Sequence, residues 1–436
     1  MSYKKTIKKI PLKLSIIIPI YNSQAHLNKC LNSVNIASNT GLEIIIVNDG
    51  SKDSSVKICK KFISKNSNFR IINLKKNIGV GYARNVALKN VRGKYVMFLD
   101  SDDRILKGSL KNVISKLDEY PENEIFFIRS KFINKNEVDY NEIYESKNTL
   151  TTPIKLIRNY KNFRSTCWNL IVRKNSIKKH NIKFSKARIF EDHLFVANAL
   201  CSLKKYRIIK KPVYEKREQD TNSLSKQSGL SALVSCSKIL VDLINLLNKS
   251  GNLKSSFKFK FLITRINFIT TQFLENILIC SEEEIKKILH VFRSIYLLQK
   301  ISRKKPAISN FFSKTKSEFY TKLKIYRSKK ISYLQKLDIK AKYIIFCTGI
   351  YSQIILKLCL KINLKIIFLL DNNKYYIGQK IDGIVIKNPN ILKKKSSKFK
   401  HIKILICNKN TKQFLSIKEQ LLAMGIIKSS IVRINF

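Results

Sequence analysis

The sequence predicts an α/β protein: a mainly parallel sheet with helices on both faces, a helical middle, and a second, smaller α/β segment. Three observations carry this. From residue 14 to 103 short apolar runs alternate with stretches whose apolar positions recur at helical spacing. From Leu230 to about Lys340 the periodicity is helical throughout, as at Ile239, Leu240, Leu243, Leu246 and Leu247. After residue 341 the strand–helix alternation begins again. At 436 residues the chain can hold two or three cores. The expected division is a basic tail over 1–10, an α/β domain over 11–226, a basic helical region over 227–340 and an α/β domain over 341–436.

Leu14 to Ile18 reads as a buried strand halted by Pro19, followed by the turn Pro19-Ile20-Tyr21-Asn22 and a helix from Ser23 to Val34. Glu43 to Val47 is a second strand, ending in Asn48-Asp49-Gly50-Ser51. Ser51 or Asp53 is the expected N-cap of a helix running to about Ser64. Arg70 to Leu74 is a third strand, Asn77 to Gly81 a turn, and the next helix carries Ala83, Arg84, Asn85, Val86 and Ala87. Val96 to Leu99 is a fourth strand. Leu106 to Tyr120 is an amphipathic helix closed by Pro121, Ile125 to Ile128 a strand, and Phe132 to Tyr144 a polar hairpin.

The fourth strand ends in Asp100-Ser101-Asp102-Asp103. Carboxylates this close repel one another unless a cation or bound donors offset them. The cluster suits Mg²⁺ or Mn²⁺, which take oxygen ligands and bridge carboxylates to substrate phosphates; an acidic turn with a capping Asp102 is the alternative. In parallel sheets ligands bind beyond the carboxyl ends of strands. Asp49 and the cluster both fall there, so they are expected to share one crevice.

The net charge of +56 suggests an anionic partner, although Lys, Ile and Asn are abundant throughout and much of the excess is compositional. Nine cysteines without CxxC pairs point to neither a disulfide frame nor zinc, so a reducing cytoplasm is the expectation. Met1 to Lys9 is basic and lacks a signal peptide's apolar core. No apolar run is expected to reach the ~18 residues of a spanning helix; the nearest, Phe259 to Cys280, is broken by Lys260, Arg265 and Glu275. An anionic membrane surface remains a candidate partner.

Pro19-Ile20-Tyr21-Asn22, Val47-Asn48-Asp49-Gly50-Ser51, Ile78-Gly79 with Ala83-Arg84-Asn85, and Phe98-Leu99-Asp100-Ser101-Asp102-Asp103 occur in the order and spacing of family 2 glycosyltransferases. Residues 11–226 resemble these inverting enzymes, which have the GT-A fold and use nucleotide sugars. The resemblance implies that Pro19, Tyr21, Asn22 and Asp49 hold the nucleotide base. It places Arg84 beside the nucleotide, and Asp100, Asp102 and Asp103 at the ribose and the metal–diphosphate, with Asp102 and Asp103 as metal residues. The chemistry agrees: a uracil imide N–H needs an acceptor, and a diphosphate leaving group needs a divalent cation.

Downstream, Trp168-Asn169-Leu170-Ile171 stands where the family often has Trp-Asn-Lys-Leu, without the Lys; a lone Trp is more often core packing than a sugar platform. Phe190-Glu191-Asp192-His193 opens an apolar helix. Inverting transfer needs one general base to deprotonate the acceptor hydroxyl, and the resemblance gives that role to Asp192, with Glu191 beside it. Capping of the helix by Asp192 is the alternative, and the two are compatible. His193 is read as helix surface or core rather than a metal ligand. Pro212 to Arg217 with Ser223-Leu224-Ser225 is similar to a Tyr-x-x-Arg…Ser ending near the donor diphosphate, where Arg217 would offer a forked donor.

In the last segment Tyr343 to Cys347, Lys365 to Leu370 and Ile402 to Cys407 are expected strands, with helices over Tyr351 to Leu360 and through Ile417, Leu421 and Leu422. The segment resembles small Rossmann-like domains of sugar-modifying enzymes. Its first turn, Cys347-Thr348-Gly349-Ile350-Tyr351-Ser352, keeps one glycine, too few for a dinucleotide loop. Asp371 either binds a ribose or begins a turn.

The expected function is therefore an inverting, metal-dependent transfer of a sugar from a nucleotide sugar, UDP-linked as the resemblance implies, to a glycan or lipid-linked hydroxyl. Capsule, lipopolysaccharide or other surface polysaccharide synthesis is the expected setting, in the cytoplasm or peripheral on the membrane's inner face. The alternatives are a sugar-phosphate nucleotidyltransferase, which would need an N-terminal Gly- and Lys-rich phosphate loop that residues 15–30 lack, and a protein binding nucleic acid or another anionic surface. Nucleic acid is not expected, because the aromatics sit at buried-looking periodic positions.

Overall fold

The computed structural model describes residues 11–35, 41–132, 138–139, 153–157, 163, 165–217, 228–249, 256–289, 315–346, 350–394, 399, 401–407 and 411–434. The chain divides into two compact units, one of residues 1–218 and 242–266, the other of 219–241 and 267–436. The helical middle is thus divided between them.

In the first unit the opening elements are β1 (Leu14–Ile20), α1 (Gln24–Val34), β2 (Leu42–Asn48), α2 (Ser55–Ile63), β3 (Phe69–Asn73), α3 (Val80–Asn90) and β4 (Tyr95–Phe98). They continue with β5 (Arg104–Ile105), α4 (Ser109–Glu119), β6 (Ile125–Phe132), β7 (Val138–Asp139), β8 (Leu170–Arg173), α5 (Lys174–Lys179), α6 (Asp192–Ser202) and β9 (Tyr206–Lys216). Among the described residues the strands form one sheet in the order β3-β2-β1-β4-β8-β6-β9-β5, with β7 on β6. The first four are parallel. β8 then runs antiparallel between β4 and β6, and β9 is parallel to β6.

Both faces of β1 and β2 are buried, as the apolar runs Ile16 to Ile18 and Ile44 to Val47 require of parallel strands covered on both sides. β1 continues through Pro19 to Ile20 instead of stopping at the proline. The reason is positional: pairing with β4 ends at Ile17, so Pro19 has a ladder partner only on the β2 side. A core of Ile16, Ile18, Leu27, Leu31, Ile44, Ile46 and Met97 binds α1 to the sheet. Of the expected hairpin, Val138–Asp139 pairs with Ser130 and Lys131; the rest lies outside the described residues.

In the second unit six strands follow the order β12-β13-β11-β10-β14-β15 among the described residues: β10 (Lys342–Phe346), β11 (Lys365–Leu370), β12 (Lys380–Ile381), β13 (Ile384–Lys387), β14 (Ile402–Ile406) and β15 (Ile431–Arg433). β10 is central and parallel to both β11 and β14, which gives the expected doubly wound pattern. Helices Ile350–Lys361 and Thr411–Ala423 accompany it. Cys347 to Gly349 of the first turn lie outside the described residues. Asp371 begins a turn, its Oδ1 accepting from the Asn373 amide at 2.8 Å.

One expectation needs correcting. A helix long and apolar enough to cross a membrane is present: Leu230–Lys249, and not the Phe259 to Cys280 stretch. Its apolar residues are interspersed with Ser, Asn and single charges, so no single apolar run marks it. Just over half of that helix's apolar window, 56%, is buried, as in the core helix of a globular protein.

Candidate active site at the strand ends

β1, β2 and β4 are parallel, so the turns that follow them gather at one edge of the sheet. The turn after β1 is bonded to the one after β2 at many points. Asn22 takes a left-handed backbone (φ 48°), its amide donates to Ser51 Oγ at 3.1 Å, and its Oδ1 accepts from the Lys52 amide at 2.9 Å. The Ser23 amide donates to Ser55 Oγ at 2.8 Å. The residue at the N-cap of α2 is Ser54, and not Ser51 or Asp53 as expected; Asp53 stands one position before it and accepts from the amides of Ser55 and Gln24, both at 3.0 Å, which ties α2 to α1. Tyr21 is left half exposed, at 48%.

Asp49 is buried, and its two oxygens accept from the Ile78 and Gly79 amides, each at 2.8 Å. The third turn is thus fixed against the second. Each carboxylate oxygen keeps a further lone pair, so Asp49 can still accept a ligand N–H. Gly50 (φ 74°) is required here: a Cβ would stand 2.8 Å from the Asn77 amide nitrogen and the Lys76 carbonyl carbon.

The acidic cluster does not act as one group, because its members face different ways. Asp102 is exposed; the packing around it and the neighbouring Asp100 raise its pKa, against Lys216 and Arg217. Asp103 is 1% exposed and turned inward. Its Oδ2 accepts from the Tyr214 hydroxyl at 2.7 Å and Lys216 Nζ at 3.5 Å, and its Oδ1 from the Arg217 amide at 2.7 Å. Burial pushes this carboxyl up to about 7 despite Lys216. The Tyr214 hydroxyl also accepts from the Asp100 amide at 3.2 Å, and Ser101 Oγ lies 2.8 Å from Ser23 Oγ. Asp103 is therefore the post that holds the acidic turn on β9, and the structure does not bring it to the crevice beside Asp102.

Trp168 is buried and stacks on Tyr214 (centroids 4.7 Å, 22°), and Lys216 Nζ lies 4.8 Å from its ring centroid. The tryptophan packs in the core, as expected. Arg217 is placed by its own amide on Asp103, and its guanidinium meets the ring of His26 on α1. Residues 223–225 lie outside the described residues. The Pro212 to Arg217 ending contributes more than Arg217, since Tyr214 and Lys216 also engage Asp103. The available signal was a tyrosine in an apolar strand, whose hydroxyl needs a partner once buried.

Arg84 is 4% exposed, not on a solvated helix face. Its Nη1 donates to Glu191 Oε1 at 2.5 Å and its Nη2 to Asp100 Oδ1 at 2.7 Å. Asp192 is the first residue of α6 and half-buried; the N-cap position belongs to Glu191, so Asp192 does not cap the helix. Burial and the adjacent Glu191 push its carboxyl well above the usual range, against the field of Arg84. His193 is buried, and its pKa falls to about 3, chiefly through burial and secondly through Arg265, so the ring is neutral near pH 7. It belongs to the core.

The structure therefore gathers Pro19, Tyr21, Asn22, Asp49, Asp100, Asp102, Glu191 and Asp192 around the carboxyl ends of the parallel strands. Among the described residues no three His, Cys, Asp or Glu side chains converge on a metal position. The donor set that fits a divalent cation is Asp102 alone with substrate oxygens; Mg²⁺ is commonly held by one or two carboxylates plus phosphates. Both oxygens of Asp103 are engaged by Tyr214, Lys216 and the Arg217 amide, and Asp100 Oδ1 is engaged by Arg84.

Residues 15–180 match the family model described as glycosyl transferase family 2. This stretch is a family 2 glycosyl transferase domain. Its curated relatives include the minor teichoic acid biosynthesis protein GgaB of Bacillus subtilis (strain 168), 31% identical over 242 residues, or 53% of this chain and 26% of that protein. They also include the poly(ribitol-phosphate) beta-N-acetylglucosaminyltransferase TarS of Staphylococcus aureus (strain MW2), 30% identical over 207 residues, or 47% of this chain and 35% of that protein. The chain thus spans about a quarter to a third of the length of these relatives. A crystal structure of S. aureus TarS in complex with UDP superposes with a TM-score of 0.53 and 24% identity, covering 74% of this chain and 92% of that one. The likeness confirms the GT-A architecture.

Proposed function

We propose that the first unit is an inverting glycosyltransferase that moves a sugar from a UDP-sugar to a hydroxyl of a growing surface glycan or lipid-linked acceptor. One observation carries the reading: the turns after β1, β2 and β4 and the start of α6 bring Asp49, Asp102 and Asp192 to one edge of the sheet. The family match and the relatives' names, which speak of teichoic acid synthesis and N-acetylglucosamine transfer, support it. They favour a cell-wall glycopolymer over capsule or lipopolysaccharide as the acceptor.

In this reading Asp49 accepts the uracil imide N–H, and the backbone of Pro19 to Asn22 flanks the base with Tyr21 over it. Asp100 and Asp102 meet the ribose and diphosphate, and Arg217 offers its guanidinium to a phosphate. A divalent cation, Mn²⁺ or Mg²⁺, held by Asp102 and the diphosphate, would stabilise the charge that develops on the leaving group. Asp192 takes the acceptor proton as the hydroxyl attacks the anomeric carbon opposite the departing diphosphate. Its raised pKa makes it a stronger base than an ordinary carboxylate. Glu191 sits beside it and adds to the effect of burial in raising it. The working location is the cytoplasm, at the inner face of the membrane. Support for contact with an anionic leaflet comes from the net charge and from helix Lys316–Gln335, which exposes Ile325 and Tyr333 among lysines.

The test is a thermal-shift panel of nucleotides and nucleotide sugars with and without Mn²⁺ or Mg²⁺. Uridine nucleotides with metal should raise the melting temperature. If none does, the donor assignment fails.

A further inference from the structure

We propose that helix α3 is a jig for the general base: Gly81, Arg84 and Asn85 are positioning residues that set Asp192, and Arg84 is not a ligand of the donor. The inference rests on the transferase reading above. The three residues stand at i, i+3 and i+4, so they share one face of the helix; Arg84 and Asn85 hold the segment that leads into α6, and Gly81 lets it approach.

Arg84 joins the two halves of the site. Its fork takes Asp100 from the end of β4 with one nitrogen and Glu191, the residue before Asp192, with the other. The guanidinium carbon stands 5.2 Å from the Phe184 ring centroid, and the Nε is buried without a hydrogen-bond partner. Both terminal nitrogens are thus engaged by protein carboxylates, and the planar fork fixes the separation between them. Asn85 clamps the same segment from the next position: its Nδ2 donates to Phe184 O at 3.0 Å, and its Oδ1 accepts from the Phe184 amide at 2.9 Å.

Gly81 explains how the segment comes so close. It lies within α3 and needs no special backbone conformation, so alanine would be worth about 0.5–1 kcal/mol to the helix. A Cβ there would stand 2.7 Å from the Ser185 carbonyl oxygen and 2.8 and 2.9 Å from Glu191 Cγ and Cβ. Two of those three atoms are backbone or attached directly to it, so they cannot swing aside. The glycine keeps helix stability low in exchange for the approach of the Glu191-Asp192 corner. A methyl group would push that corner away from α3 and move Asp192 relative to the acidic turn.

Steady-state transfer and UDP binding separate this role from a donor-binding one. Wild-type UDP binding and donor turnover are measured first, so a failure of the transferase reading shows there and not in the variants. Gly81→Ala should lower kcat by about tenfold to a hundredfold, as displacements near 1 Å do, with donor KM and UDP Kd within about twofold of wild type, and Arg84→Lys should lower kcat by a similar factor. Asn85→Ala, which adds no bulk, should show the same split and covers the case in which Gly81→Ala does not fold. A tenfold rise in donor KM or UDP Kd with kcat retained in Arg84→Lys would make Arg84 a donor ligand and overturn the proposal. Wild-type kcat in folded Gly81→Ala or Asn85→Ala would overturn it as well.

Discussion

Replacing Tyr214 with phenylalanine isolates the post that holds the acidic turn. The ring should stay, because its stack on Trp168 and its burial do not involve the hydroxyl. Two hydrogen bonds go. The hydroxyl donates to the ionisable Asp103 Oδ2 at 2.7 Å and accepts from the Asp100 amide at 3.2 Å. A bond to a charged group is worth about 1.5–3 kcal/mol, and an amide left unpaired costs about 1–3 kcal/mol. Lys216 and the Arg217 amide still serve Asp103, so the losses overlap, and about 2–4 kcal/mol is expected. For a unit of this size that corresponds to a fall of about 4–16 °C in melting temperature. The single tryptophan of the chain, Trp168, lies in this unit. Urea unfolding followed by its fluorescence therefore reports this unit selectively. UDP affinity should fall in parallel, because the Asp100 backbone loses its anchor. A change below about 0.5 kcal/mol would refute the view that Tyr214 holds the turn.

Four further outcomes follow from the site. Asp192→Asn should lower transfer by about 10²–10⁴-fold while the melting temperature stays near wild type. The base must be deprotonated to act and its pKa is raised, so wild-type kcat should fall as pH drops through a value above the ordinary carboxylate range, and a profile flat down to pH 4 would remove Asp192 from the role. Chelation should abolish donor turnover, with Mn²⁺ or Mg²⁺ restoring it, and Asp102→Asn should raise the metal concentration needed; unchanged metal titrations would exclude Asp102. Gly50→Ala should destabilise the first unit by about 1–3 kcal/mol in chemical denaturation, since it combines a left-handed backbone with a clash against the 76–77 backbone.

Much of this was written locally in the chain. Parallel β strands buried on both faces need continuous apolar runs, and Leu14 to Ile18 and Glu43 to Val47 are such runs. Acids at their ends mark a ligand crevice because that is where such sheets open. The place of Asp49 and the Asp100 to Asp103 cluster at one edge was therefore legible, and so was α6 opening at Asp192. The identity of the core tryptophan's partner was not, nor was the helix Leu230–Lys249, whose apolarity is diluted by polar residues.

Tertiary structure alone decided which acid does what. Sequence gives Asp100, Asp102 and Asp103 equal standing, since adjacent carboxylates have the same local chemistry. Their roles diverge because Tyr214 and Lys216, more than a hundred residues later, draw Asp103 inward, and Arg84 claims Asp100. Only Asp102 remains exposed. The same holds for Arg84, which by helical spacing could face solvent, and whose burial follows from the 184–191 segment packed on α3. Periodicity and turn chemistry are properties of neighbours in sequence, and they determined the fold and the edge. The direction of a carboxylate depends on what the rest of the chain brings to it.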